Sequence, residues 1–396
     1  MKALKFFVAG CLVLVGIGVV GTGVTLGEMY KTNQTVFEMN QKEELKATAL
    51  QNLYIESDVP VRIMPTEGQP YVTFEASGNG VMFPEPKYEL EVISEGNASH
   101  INLKQVQSSE LYIFTNNLHE ELVVYMPQQD MDTLKVVAQD YHGLQSFKFA
   151  STANIKDLSI DAERIDLNLK GGYTNVEIKA YQGNALIHSN TPAQVKIDGV
   201  SNTTLKGQIA QVDVKSNHNS SGGKLIIESD LEAKINIDRG YGETIIDGKV
   251  SDVNMTNVTS CVTVNSSTPY NATMNGSEYN MDVKLKGMMQ NVTVEGEYGD
   301  VRLYPTTTPK RIEILGEQLN IHAVLPESIT GFEIKKQTDG YEGEYENQGS
   351  YEDQNIFIDF DVKSENINSG LRRIYYGDEA MKMFIGSKYG NVYITK

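Results

Sequence analysis

Short apolar-polar-apolar triplets recur along the middle of this chain at a nearly constant interval, and that interval is too short for helices and their connections. The anchors of the pattern are Leu158, Leu167, Val176, Leu186, Val195, Leu205, Val214, Leu225, Ile235, Ile245, Val253, Val262, Ala272, Val283, Val292, Val301, Ile312 and Ile321. They recur on average roughly every 9.6 residues, which is a strand plus a turn. Between them stand turn formers, as in Lys170-Gly171-Gly172, Tyr181-Gln182-Gly183-Asn184 and Ser221-Gly222-Gly223. The anchors are expected to point into one elongated core, with their neighbours outside.

Two all-β architectures produce such spacing. In an antiparallel meander each unit is one strand of a hairpin, and Asp198-Gly199 and Asp247-Gly248 would serve as turns. In a parallel β-solenoid two units make one flattened coil of about 19 residues, and stacked coils bury a continuous core. The solenoid accounts better for like residues recurring at matching places. It also accounts for the scarcity of proline, since only Pro192 and Pro269 fall between residues 131 and 300, where interior strands must donate on both sides. The expected fold is therefore an elongated parallel β-solenoid, β-helix-like, preceded by a single N-terminal transmembrane helix.

That helix is read from Phe6 to Gly27, a run without charge between Lys5 and Glu28. As a helix it would extend roughly 33 Å, against about 30 Å of hydrocarbon. Its length favours an uncleaved anchor over a secretory signal, although Gly21-Thr22-Gly23 and Thr25-Leu26-Gly27 offer small residues for cleavage. Lys2 and Lys5 place the N-terminus inside and the bulk of the chain outside the cell membrane. Val8-Ala9-Gly10-Cys11 resembles a lipobox, but most of the apolar run follows the cysteine instead of preceding it, so Cys11 reads as a plain membrane residue. Cys261 lies far from it in the chain, and no disulfide framework is expected.

The remaining organisation follows the same cues. Residues 31–50 are polar and read as a juxtamembrane stalk after an anchor at 1–30. Residues 51–130 hold irregular strands and six of the 11 prolines, 131–325 hold the solenoid repeats, and 326–396 form a C-terminal β cap. Tyr-Gly followed by an acid or amide and a β-former appears at Tyr241, Tyr298 and Tyr389, a turn signature leading into a strand.

Leu122-Val123-Val124-Tyr125-Met126-Pro127, Leu134-Lys135-Val136, the Gly-rich repeats, Val324-Leu325-Pro326-Glu327 with Gly331-Phe332-Glu333-Ile334, and the terminal Ser387-Lys388-Tyr389-Gly390-Asn391-Val392-Tyr393-Ile394 carry a family likeness. Over roughly residues 50–396 the chain resembles the putative-adhesin β-strand-repeat domains of bacterial envelope proteins, and is similar to the LiaG-type membrane-anchored proteins found near envelope-stress systems. The resemblance implies a β-solenoid outside the membrane and supplies no assigned activity. Two departures stand out: the chain is long, and Asn-rich sequence often replaces the family's Ser/Thr-x-x-Gly turn.

No concentrated chemistry is visible. The net charge of -18 would repel nucleic acid. Histidines 100, 119, 142, 188, 218 and 322 stand singly, with no metal spacing and no catalytic motif beside them. Cys261 is expected to face away from the core positions Val262 and Val264, as an inert thiol. Asp238, Arg239, Glu243 and Asp247 would have to line a groove on adjacent turns to serve a polysaccharide lyase or hydrolase, but the same residues also suit a solvated turn. The acidic stretch from Asp339 to Asp361 could hold calcium but matches no calcium loop, and reads as a solvated cap. Asn-x-Ser/Thr triplets at Asn202, Asn254, Asn257, Asn265, Asn271 and Asn291 read as products of an Asn- and Thr-rich repeat instead of glycan acceptors. No catalytic, cofactor-binding or metal residue is assigned. The expected function is a non-catalytic adhesion or scaffold module that binds a surface polymer or envelope protein. The alternative is an accessory subunit of an envelope-stress sensor, which would need a partner because only five residues precede the span.

Overall fold

The computed structural model describes residues 35–396 apart from 84–85, 108–110, 139–145, 216–222, 239–241, 260, 277–279, 338–355, 360–362, 369–370, 378–380 and 388–389. The described part is all β, with a single 3-10 turn at Ala47–Ala49 among the described residues. The expected membrane run 6–27 lies outside it. Among the described residues no helix is long and apolar enough to cross a membrane. The chain divides into two compact units, Met1–Pro127 with Ala138–Gln145, and Gln128–Val137 with Ser146–Lys396.

The second unit is a parallel solenoid. Leu158 pairs with Val176, Val195 with Val212, Thr203 with Leu225 and Gln211 with Lys234, so these coils return in register 17 to 23 residues later. Asp247-Gly248 makes no hairpin, because both residues stand in parallel ladders with Asn265 and Ser266. Each coil contributes a strand segment to two sheet faces. Coils from Asn184 onward place segments such as Asn202–Gly207 and Lys224–Ser229 in a first face, and Gln211–Lys215 and Lys234–Asp238 in a second. Alternate side chains from both faces fill the core, which is close to strictly apolar.

Of the eighteen expected anchors, all but two are buried. Leu186 and Ile245 are half-exposed, and Ala185, Ile187, Thr244 and Ile246 take the inner positions. The shift has a plain origin. Ala185-Leu186-Ile187 and Ile245-Ile246 are continuous apolar runs, in which a period of two cannot tell which residue faces in.

One corner of the coil is built from alternating serine and glycine. Gly171, Ser189, Gly207, Ser229, Gly248, Ser266 and Gly287 stack in register, one per coil. The serines are buried, and each Oγ accepts from the backbone N–H two residues on while donating to that residue's carbonyl, as in Ser229 with Leu231 at 3.1 and 2.7 Å. Gly207, Gly248 and Gly287 have φ of +87°, +104° and +98°, which turn the chain between the faces. Register irregularities recur at the same corner, after Ser189, Gly207, Ser229, Gly248 and Ser266, with a further one between Met255 and Val258.

The C-terminal strands complete the array. Met381–Ser387 pairs in parallel with Arg311–Gly316, and Val392–Thr395 with Gln318–Val324, 71 residues on in each case. Between these two turns of chain, Gly331–Gln337 lies parallel to Met381–Ser387 and antiparallel to Leu371–Gly377, which also pairs with Lys363–Asn368. The region read as a cap therefore contains a last solenoid coil with a strand insertion before it.

In the first unit, Tyr71–Phe83 lies antiparallel between Thr35–Glu44 and Leu111–Met126. Lys87–Glu95 forms a hairpin with Ala98–Gln107. Asn52–Ser57 and Val61–Pro65 add in parallel, and Leu53, Phe74, Ile101, Leu103 and Leu122 are fully buried. Residues 35–44, expected as stalk, are a strand. Their polar sequence hid it because backbone bonds to Tyr71–Gly80 hold the strand, while Phe37 is its one fully buried side chain among those described.

Candidate functional site

Parallel register in the second unit stacks each outward side chain directly on its counterpart in the next coil, so the outer surface consists of columns. Leu186, Thr204, Ile226, Ile245 and Thr263 stand in one such column on the first face, all half-exposed. It continues through Lys284, Arg302, His322, Tyr393 and Phe357. Three of its aromatic rings stack, His322 on Tyr393 at 4.7 Å and Tyr393 on Phe357 at 4.8 Å. The columns on either side carry matched charge. Lys224 pairs with Glu243 and Lys206 with Glu228, each at 2.8 Å.

Amide ladders make up much of the remaining outer surface. Asn202 donates to Asn184, Asn254 to Asn236, Asn265 to Asp247, Asn271 to Asp252, Asn291 to Asn271 and Asn257 to Asp238. The asparagines of the six triplets at 202, 254, 257, 265, 271 and 291, six among the many in the sequence, are thus engaged with a neighbouring coil. Their abundance has a structural cause, since an amide can both donate and accept along a ladder whose step is one strand spacing.

The carboxylates considered for hydrolysis do not converge. Glu243 and Asp247 lie on the first face, in register with Lys224 and Glu228, whereas Asp238 lies on the second, in register with Lys215 and Thr256. Glu243 is held by Lys224, Asp247 accepts from Asn265 and the Gly248 N–H, and Asp238 accepts from Thr256 and Asn257. Arg239 is outside the described residues, as is most of the acidic stretch from Asp339 to Asp361. Among the described residues no group of three His, Cys, Asp or Glu side chains is placed to share a metal ion. His100 stacks on Tyr54 at 4.6 Å, as His322 does on Tyr393, and residues 142 and 218 are not among those described.

Cys261 is exposed and faces away from Val262 and Val264, as its alternation requires. It stands opposite Asp282, and Glu243 occupies the same column one coil earlier. Partial burial and these two carboxylates push its thiol above the ordinary range, so little thiolate forms at neutral pH.

A cavity of about 470 Å³ opens on the second face near the C-terminal end of the array. Lys310, Arg311, Glu313, Glu333, Lys382 and Phe384 line it. Sequence reading missed this site because Arg311 and Lys382 are neighbours only through a coil closed 71 residues later. The outward column is hidden in the sequence because Leu186 and Ile245 sit in continuous apolar runs that do not show which residue faces out.

A family model described as Toastrack DUF4097 matches residues 50–339. The chain belongs to this family. The Toastrack match agrees with the adhesin-type β-repeat likeness carried by Leu122–Pro127 and the Gly-rich repeats. Two solved structures are also similar. One, described as a "putative cell adhesion protein" from Clostridium sporogenes, is 11% identical, with 91% of this chain and 99% of that chain covered and a TM-score of 0.20. The other, a "putative adhesin" from Parabacteroides distasonis, is 8% identical, with 72% and 94% covered and a TM-score of 0.19. No curated protein sequence matches the chain.

Proposed function

We propose that this Toastrack protein is a non-catalytic, membrane-anchored extracellular module that binds a surface polymer or envelope protein along the first face of its solenoid. The observation that carries this reading is the outward column from Leu186 to Thr263. Aliphatic side chains there are not needed by the core, which Ala185, Ile187, Thr244 and Ile246 already fill. Half-exposed rows of this kind, bordered by paired charges and amide ladders, suit extended contact with another surface. The charge-matched borders also offset locally the repulsion that the overall charge of -18 would impose on an anionic partner.

The uncharged run 6–27, preceded by Lys2 and Lys5, supports placing the module outside the cell membrane. Crosslinking in intact cells tests both parts, using a photoreactive residue at Ile226 and protease shaving from outside. Recovery of wall glycan or a surface protein from position 226 supports the reading. Recovery of a membrane kinase through the anchor segment alone would favour the sensor accessory, and a chain resistant to shaving would overturn the external placement.

A further inference from the structure

We propose that the cavity on the second face binds an acidic sugar, a uronate residue of a surface glycan, with Lys310 as the main contact to its carboxylate. The cavity falls within the range of about 300–1,000 Å³ that small-ligand sites occupy, enough for one sugar ring. Three cations surround it on a chain whose formal charge is -18. Two of them are already matched. Arg311 pairs with Glu313 at 2.8 Å and Lys382 with Glu333 at 3.4 Å. Glu333 has a side chain only 6% exposed, and it stands in register with Lys382, so that lysine is held over the cavity from below. The side chain of exposed Lys310 has no ion-pair partner among the described residues.

The lining therefore carries one unmatched positive charge, which suits a single carboxylate better than a doubly charged phosphate. Two further features select a sugar over a bare anion. Phe384, half-exposed and in register with Glu313, offers an apolar wall to the C–H face of a pyranose. Glu313 beside it can accept from ring hydroxyls. This site is separate from the outward column of the first face, so either can fail without the other. It agrees with a polymer ligand and names that polymer's chemistry.

Ligand-observed NMR on the full chain tests the assignment, with glucuronate, glucose and inorganic phosphate as probes. Glucuronate should bind at least about tenfold tighter than glucose, because a charge-assisted contact separates them. Lys310→Ala and Phe384→Ala should each abolish that preference or the binding itself, and Lys234→Ala, elsewhere on the same face, should change neither. Equal binding of glucose, displacement of glucuronate by equimolar phosphate, or glucuronate binding unaffected by Lys310→Ala would overturn it, as would no binding to a chain whose circular dichroism is native.

Discussion

The carbonyl oxygen of Ser229 lies 2.2 Å from the point a Cβ on Gly248 would occupy. The two residues are register partners on successive coils, and Gly248 has φ +104°. A side chain there would meet backbone that cannot move without breaking the ladder. Gly248→Ala should therefore cost more than about 2 kcal/mol, combining strained φ with a steric clash. Gly96→Ala is the control, since Gly96 also has positive φ, +57°, but nothing stands within 4 Å of its Cβ position. It should lose about 1 kcal/mol. Denaturant melts of the two variants give the comparison, and equal losses would remove the corner argument.

Leu186 and Ile187 are adjacent in sequence and opposite in environment, half-exposed and fully buried respectively. Lys at Ile187 would bury an unpaired charge and should destabilise the unit by on the order of 3 kcal/mol or more. Lys at Leu186 should be tolerated to within about 0.5 kcal/mol. The same contrast is expected between Val292→Lys and Thr293→Lys. Thermal melts that fail to separate Leu186→Lys from Ile187→Lys would contradict the inward and outward assignment.

These pairs also mark what the sequence could and could not convey. The interval between anchors exposed the solenoid, because the coil period and the strand alternation are both sequence-local. Facing was recoverable wherever polar residues bracketed the anchor, as at Lys196 and Thr293. It was lost at Leu186 and Ile245, where neighbours on both sides or one side are equally apolar. The strand Thr35–Glu44 was hidden because a polar edge strand is specified by backbone pairing to Tyr71–Gly80 and not by hydrophobic period. The cavity was invisible for a third reason, since Lys310, Arg311 and Lys382 become neighbours only when Met381–Ser387 returns to pair with Arg311–Gly316, 71 residues on.

Tyr173 and Tyr270 are both fully buried, and burial pushes both phenols well above their ordinary range. Only one is hydrogen-bonded. Tyr270 donates to the Lys286 carbonyl at 3.1 Å, whereas the Tyr173 hydroxyl has no partner among the described residues. Removing a paired buried hydroxyl should cost about 1 kcal/mol, so Tyr270→Phe should lower stability by that amount. Tyr173→Phe deletes an unsatisfied group and should be neutral or stabilising. Chemical denaturation of the two variants decides, and a loss for Tyr173→Phe as large as for Tyr270→Phe would mean the orphan hydroxyl is satisfied in solution.

Asp130 accepts from the side chain and the backbone N–H of Asn154, each at 3.0 Å, and these bonds hold its carboxyl below the usual range. A depressed folded-state pKa means that the bond's stabilisation is present above the unfolded value of about 3.9 and is lost as pH falls through the folded value. Asn154→Ala removes the larger of the two contributions and should move the Asp130 titration upward, measured by carboxyl-carbon NMR. An unchanged midpoint would mean the side-chain bond does not form.

Cys261 offers a chemical readout of the column arrangement. Its thiol is raised by partial burial and then by Asp282 and Glu243 in its own column. Asp282→Asn removes one of those negative charges, so the thiol pKa should fall and the thiolate fraction at neutral pH should rise. Alkylation by iodoacetamide at pH 7.5 should accordingly run faster in the variant. The substitution also unpairs Arg302, which bonds Asp282 at 2.9 Å and whose charge favours the thiolate, so the freed guanidinium acts in the same direction. Glu243→Gln frees Lys224 in the same way and should accelerate alkylation as well. Two variants, each one coil from the thiol and on opposite sides of it, both accelerating the same reaction, are expected only if parallel register sets Cys261 between them. A meander would leave at most one within reach, so acceleration by Asp282→Asn without acceleration by Glu243→Gln would argue against the stacked column.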